Sequence, residues 1–267
     1  MSLRVRVYRG TVQGTTLAQL RRNGIGIHHE AHGSGAPILL THGFGATCRM
    51  WDEQIEDLTD QYRVIAWDLP AHGQTGQPRR TPGPESLTRD MLAVLNANAA
   101  DRVVLGGLGI GGLISLRFRH EFPERVRGLI LIGTMPGLRS GLAREIWNGQ
   151  VDALATALER DGLDALDGGA EVDPRLHADA HGLAAAARAM LTQRDDGELS
   201  RLAEVDGPVL SLVGSEDKPN LSAAHFMARG IPHAREVVIP HANHAANIHK
   251  PEAVNAAIRD FLGRLPP

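Results

Sequence analysis

Three short segments of the chain carry the residues best suited to chemistry. At 105–112 the sequence reads Leu105-Gly106-Gly107-Leu108-Gly109-Ile110-Gly111-Gly112, straight after a β-branched run and straight before a helical pattern. Glycines at 107, 109 and 111 let a strand turn sharply into a helix, the conformation that presents a nucleophile at the centre of a G-x-S-x-G frame. The centre of this frame is Gly109, and glycine has no side-chain oxygen with which to form a covalent acyl intermediate. Further on, Gly214-Ser215-Glu216-Asp217 offers two carboxylates, and His241, His244 and His249 offer three imidazoles. A carboxylate that fixes the tautomer and orientation of a histidine makes a general base.

Other chemistries fit less well. The spacing of His241, His244 and His249 does not match the helical ligand motifs for zinc, and no acid or cysteine joins them locally, so no metal is expected. The glycine-rich turn lacks a ribose-binding acid at the expected distance, so no dinucleotide or other cofactor is implied. Two side chains could stand in for a nucleophile. Ser115 lies nearly two helical turns beyond the turn and is expected to face the packed interior, and Cys48 stands alone in the chain.

Positioning such groups requires strands that end together. Short apolar runs at 25–29, 38–41, 64–68, 103–107, 128–132, 209–213 and 236–239 alternate with helical segments, which predicts an α/β fold with a mostly parallel sheet covered on both faces, its first part antiparallel. Ligands in such sheets bind beyond the carboxyl ends of the strands, where the loops here are rich in Gly, His, Asp and Pro. The interval 136–205 breaks the rhythm with helical spacing at 143–158 and 183–191 and no strand. It reads as a helical cap inserted between two parts of a core, 1–135 and 206–267. Its acidic residues Asp161, Asp164, Asp167, Glu171, Asp173 and Asp179 read first as a solvated surface, with a funnel for a cationic substrate as the alternative.

Composition bounds the partners. The chain has 267 residues, 42% of them hydrophobic and 22% charged, enough to bury a full core. A net charge of -3 gives no reason to expect nucleic acid or an anionic membrane, and a small, roughly neutral substrate fits better. The apolar runs are too short to span a bilayer, and the first twenty residues lack the apolar core of a signal peptide. With one cysteine and no internal disulfide, a reducing compartment, the cytoplasm, is expected. Oligomeric state is not specified.

Taken together, the glycine frame, Thr41-His42-Gly43-Phe44-Gly45, the Trp51-Asp52 pair, Asp68-Leu69-Pro70-Ala71-His72-Gly73 and the run from Pro123 to Thr134 resemble the α/β-hydrolase superfamily, in particular its 3-oxoadipate enol-lactonase and esterase branch. The resemblance covers nearly the whole chain outside the cap. It implies Asp217 as the acid, His244 as the base, and the backbone N–H groups of Phe44 and Ile110 as donors to a developing oxyanion. It also implies hydrolysis of a carboxylic ester or lactone, with Gly109 at the nucleophile position. Three readings of that glycine stand open. It replaces a serine, so that the chain is inactivated toward acyl transfer; or it is native, and His244 with Asp217 activates water or takes a substrate proton in lyase, dehydratase or cyclase chemistry; or the protein is a non-catalytic binding module. Trp51, Met135, Leu138, Trp147 and Met190 are candidates to line the substrate site, an apolar set that suits an apolar acyl or ring group.

Overall fold

Alternate residues along the middle strands face opposite sides of one sheet, so each strand feeds two cores. The computed structural model describes residues 8–12, 15–78, 83–166 and 168–266. Among the described residues the sheet has nine strands, β1 (Tyr8–Val12), β2 (Thr15–Arg22), β3 (Ile25–His32), β4 (Ala36–Thr41), β5 (Tyr62–Trp67), β6 (Val103–Leu108), β7 (Val126–Ile132), β8 (Val209–Gly214) and β9 (Ala234–Ile239), in the order β1-β2-β3-β5-β4-β6-β7-β8-β9. β4 to β9 are parallel. β1, β2 and β3 pair antiparallel, and β3 joins the rest by antiparallel pairing with β5.

Eight α-helices accompany them among the same residues: α1 (Asp52–Leu58), α2 (Pro84–Ala97), α3 (Ile110–Glu121), α4 (Gly141–Asp161), α5 (Ala180–Met190), α6 (Lys218–Gly230), α7 (Ala246–His249) and α8 (Pro251–Gly263). Ile38, Leu40, Val64, Ala66, Val104, Ile130 and Ile132 pack on one face with Leu58 of α1 and Val254, Ile258 and Phe261 of α8. Leu39, Ile65, Trp67, Leu105, Leu129 and Leu131 pack on the other with Leu87 and Met91 of α2 and Ile114 and Phe118 of α3. No helix among the described residues is long and apolar enough to cross a membrane.

Each of the seven runs read as a strand forms one, and all seven run one to three residues longer than expected. β1 and β2 were not anticipated. The sequence of β2, Thr-Thr-Leu-Ala-Gln-Leu-Arg-Arg, lacks the β-branched alternation that marks the central strands, and it is held by pairing with both β1 and β3. Between β7 and β8, the described residues contain α4, α5 and 3-10 turns but no strand. This segment has its own small core of Val151, Ala155, Leu158, Leu183, Ala184 and Ala187. Ser140 caps α4 by accepting the Ala143 N–H, and Asp179 caps α5 by accepting the His181 N–H. Of its acidic residues, Asp161 pairs with Arg160 and Asp173 with Arg175 at the surface, whereas Glu171 lines the cavity described below. Asp167 lies outside the described residues.

Candidate active site

The turn from β6 into α3 is built by its glycines. A Cβ on Gly107 would run into the backbone of Gly111, so the strand and the helix approach this closely only without one. Gly109 has φ 54° and ψ -112°, a region that side chains rarely adopt, and is held there by its N–H donating to the Ile132 carbonyl (2.9 Å) while its carbonyl accepts the Leu113 N–H (3.1 Å). A Cβ at this position would lie 3.3 Å from Nε2 of His244 and 3.6 Å from its Cε1, the only atoms within 4 Å among the described residues outside the elbow's own neighbouring backbone. The elbow therefore aims its centre at the histidine although it carries no side chain.

His244 stands in the loop after β9, and Asp217 stands in the turn after β8, just ahead of α6. His244 Nδ1 is 2.9 Å from Asp217 Oδ2, which fixes the proton on Nδ1 and leaves the Nε2 lone pair facing Gly109. Asn220, three residues on in α6, donates its amide to Asp217 Oδ1 (2.9 Å) and Oδ2 (3.0 Å). Asn220 was not singled out from the sequence; its signal there is an amide one helical turn beyond the acid. The Asp217 side chain is buried and the His244 side chain half-buried. Burial works to lower the His244 pKa, but the Asp217 hydrogen bond and the charges of Asp217 and Glu171 outweigh it and raise the value above 6.5. Burial works to raise Asp217, but hydrogen bonds from His244 and Asn220 hold it below the usual carboxylate range. Glu216, its rival in sequence, sits half-exposed beside His241.

A cavity of about 560 Å³ opens over the elbow between the sheet ends and the segment carrying α4 and α5. Phe44, Gly109, Ile110, Asp217 and His244 all line it, as do Met135, Trp147 and Met190. Two expected lining residues do not. Trp51 is fully buried in the core beneath α1 and α8, because a large aromatic at the end of a short 3-10 turn (Cys48–Trp51) is more stable packed against the sheet than open to a ligand. Leu138 is half-buried outside the cavity wall, where its carbonyl accepts from Arg144. Glu171, Arg117 and Arg194 also reach the wall, so it is less uniformly apolar than the sequence suggested.

The substitute nucleophiles are out of reach. Ser115 is buried and donates to the Gly111 carbonyl (2.9 Å). The Cys48 thiol is buried, and burial together with Asp68 and Glu30 pushes its pKa far up. His241 is exposed, and His249 Nδ1 accepts from the Asn243 N–H (3.3 Å), so these two do not converge with His244. The fold does bring His28, Glu30 and Cys48 within 4.8 Å of one another, a juxtaposition of β3 with the 48–51 turn that sequence spacing could not reveal. There His28 Nε2 donates to Glu30 Oε1 (3.1 Å), so two of the three groups already pair with each other.

Comparison with known proteins places these features in a family. The family model described as "Alpha/beta hydrolase family" matches residues 38–257. The protein named "Putative carbamate hydrolase RutD" from Azorhizobium caulinodans is 39% identical over 109 residues, a match spanning 40% of this chain and 40% of that protein. The "Putative 2-succinyl-6-hydroxy-2,4-cyclohexadiene-1-carboxylate synthase" of Bacillus subtilis is 27% identical over 255 residues, covering 87% of this chain and 92% of that one. Among solved structures, a thermophilic esterase from Thermogutta terrifontis superposes with a TM-score of 0.79 at 28% identity, covering 98% of this chain and 99% of the esterase.

Proposed function

Because the chain belongs to the alpha/beta hydrolase family, we propose that it is a carboxylic ester or lactone hydrolase in which glycine has taken the place of the side-chain nucleophile and His244 activates water directly. The observation that carries this reading is the aim of His244: Nε2 points at the centre of the elbow, 3.3 Å from where a Cβ of residue 109 would stand, with Asp217 behind Nδ1 at 2.9 Å. A water in hydrogen-bond reach of Nε2 gives its proton to the imidazole as its oxygen attacks the carbonyl. The imidazolium that forms is stabilised by Asp217. Negative charge on the carbonyl oxygen is met by the N–H groups of Phe44 and Ile110, the latter at the first turn of α3, where the helix dipole adds positive potential. His244 then returns the proton to the leaving oxygen. The substrate is a small molecule with an apolar acyl or ring group, held against Phe44, Met135, Trp147 and Met190.

Gly109→Ser tests the reading. A serine oxygen would fall within hydrogen-bond reach of Nε2, so with p-nitrophenyl esters and small lactones the variant should show a burst and a turnover raised by roughly two orders of magnitude or more. His244→Ala should abolish the activity of both chains. A second reading is favoured by the whole-length similarity to the synthase: His244 takes a proton from substrate carbon, and the oxyanion donors hold an enolate. In that case serine at 109 adds nothing, and His244-dependent exchange of a substrate C–H with deuterated solvent appears instead.

A further inference from the structure

The oxyanion loop is a turn in which the Ala46 N–H donates to the Gly43 carbonyl (3.2 Å) and Gly45 has φ 76°. The N–H of Phe44 shares a trans peptide with the Gly43 carbonyl, so whatever holds that carbonyl also aims that N–H. His42 Nδ1 donates to the same carbonyl (2.6 Å), and its Nε2 accepts the Leu69 N–H (2.8 Å). One end of the turn is thus fixed from within the core.

The other end is fixed from the cap. His177, which follows the 3-10 turn Pro174–Leu176, donates from Nε2 to the Gly45 carbonyl (2.8 Å) and accepts at Nδ1 from the Gly73 N–H (3.2 Å). One ring nitrogen donates and the other accepts, which selects a single neutral tautomer. His177 is 7% exposed, and its ring packs edge-on against His72 (80°, centroids 5.6 Å), which packs edge-on against Phe44 (86°, 5.0 Å). The turn that carries it is itself braced, with Asp173 accepting from both the backbone and the side chain of Arg175.

We propose that His177 is the positioning residue that latches the cap onto the oxyanion loop and keeps the Phe44 N–H in its donating orientation. The proposal rests on the reaction read above for its kinetic consequence, but the latch itself is independent of any reaction. The oxyanion loop is thereby held at both ends only when the segment at 174–177 is docked. Lifting this segment must release both the Gly45 and the Gly73 hydrogen bonds, and redocking restores the second anchor of the loop. Both hydrogen bonds are lost together in His177→Ala, whereas His177→Gln can still make one.

Three measurements on the full chain decide it. Long-range 15N–1H spectra of the unaltered protein at pH 7 should show His177 neutral with its proton on Nε2; a charged ring, or a proton on Nδ1, overturns the latch. In His177→Ala, amide exchange across 43–46 and 70–76 should speed up about tenfold or more while β6, β7 and β8 keep their protection. Unchanged exchange in 43–46 overturns it as well, and if this variant does not fold, exchange in His177→Gln and the imidazole spectrum decide in its place. With the ester that Gly109→Ser turns over, adding His177→Ala should cut kcat about tenfold or more with KM shifted less than about threefold, and His177→Gln should recover part of the loss. A purely structural residue would lower Tm and leave kcat per folded molecule unchanged. If no ester is turned over by any variant while the tautomer and exchange are as expected, the ester reading fails and the latch stands.

Discussion

In the proposed reaction His244, facing a Gly109 with no side chain, takes its proton from water or substrate, and its basicity sets the rate. The Asp217 hydrogen bond and the charges of Asp217 and Glu171 raise its pKa despite burial, so the neutral, active form is lost as pH falls through a value above 6.5. The acid limb of kcat/KM should therefore have its midpoint above that of an ordinary histidine. In Asp217→Asn the raising influence of the carboxylate is gone while burial remains, so the midpoint should move down even as activity drops by roughly two to four orders of magnitude through loss of the correct tautomer. A midpoint that does not move would remove His244 from the role of base. The same shifts act on stability. Raised in the fold, His244 contributes stability below its unfolded pKa that is lost as pH rises through the folded value; depressed in the fold, Asp217 contributes stability above its unfolded pKa that is lost as pH falls through the folded value. At this scale the glycine frame marks Gly109, while Asp217 and His244 stand out from Glu216, His241 and His249 only through the family resemblance, and the fold brings Gly109, Asp217 and His244 together. Trp51 was not legible, because nothing in the type of an aromatic residue says which way it points.

Elements carry those residues to one place through their order in the sheet. β6, β7, β8 and β9 are neighbours, so Gly109 after β6, Asp217 after β8 and His244 after β9 all emerge on the same side. That arrangement was readable from the alternation of strand and helix. The wall above it was readable only as helix, because side chains on a short amphipathic pair divide between its own core and the cavity, and the 3.6-residue period does not say which face meets which. Trp147 shows the division: from α4 its ring lines the cavity, and its Nε1 donates to the Leu191 carbonyl (2.7 Å) beyond α5, tying the two sides of the wall together. Trp147→Phe keeps the apolar face but leaves that carbonyl unpaired, so KM should rise a few-fold with kcat little changed. Leu158→Ala acts elsewhere, opening a hole in the small core between α4 and α5, and should cost about 2 to 4 kcal/mol of the stability of that segment, read as faster amide exchange in α4 and α5 than in the sheet. Uniform loss of protection across the sheet would show instead that the two regions unfold as one.

Across the whole molecule, residues nearly two hundred apart must close on each other beneath His244. Gln54 in α1 is fully buried and donates to the Asn247 carbonyl (3.1 Å) and to Asn255 Oδ1 (2.9 Å), while its Oε1 accepts from Asn247 (3.1 Å). Asn247 also donates to the Met50 carbonyl, and Asn255 to the Glu53 carbonyl. This amide knot pins α7 and α8, which follow His244 directly, to the start of α1, so the loop bearing His244 is held in place by contacts made early and late in the chain. No local pattern announces it, since amides in helices usually read as solvated surface; only the long-range pairing makes them core. Gln54→Leu keeps the volume but orphans two buried neutral partners, and at about 1 to 2 kcal/mol for each stability should fall by about 2 to 4 kcal/mol. For a chain of this size that corresponds to a Tm lower by roughly 5 to 10 °C. Because Asn247 and Asn255 serve the same knot, adding Asn255→Leu should cost much less than it does alone, and a double-mutant cycle reads that coupling directly. Strict additivity would mean that the three amides act separately and that the loop bearing His244 is held by packing of Val254, Ile258 and Phe261 against the sheet.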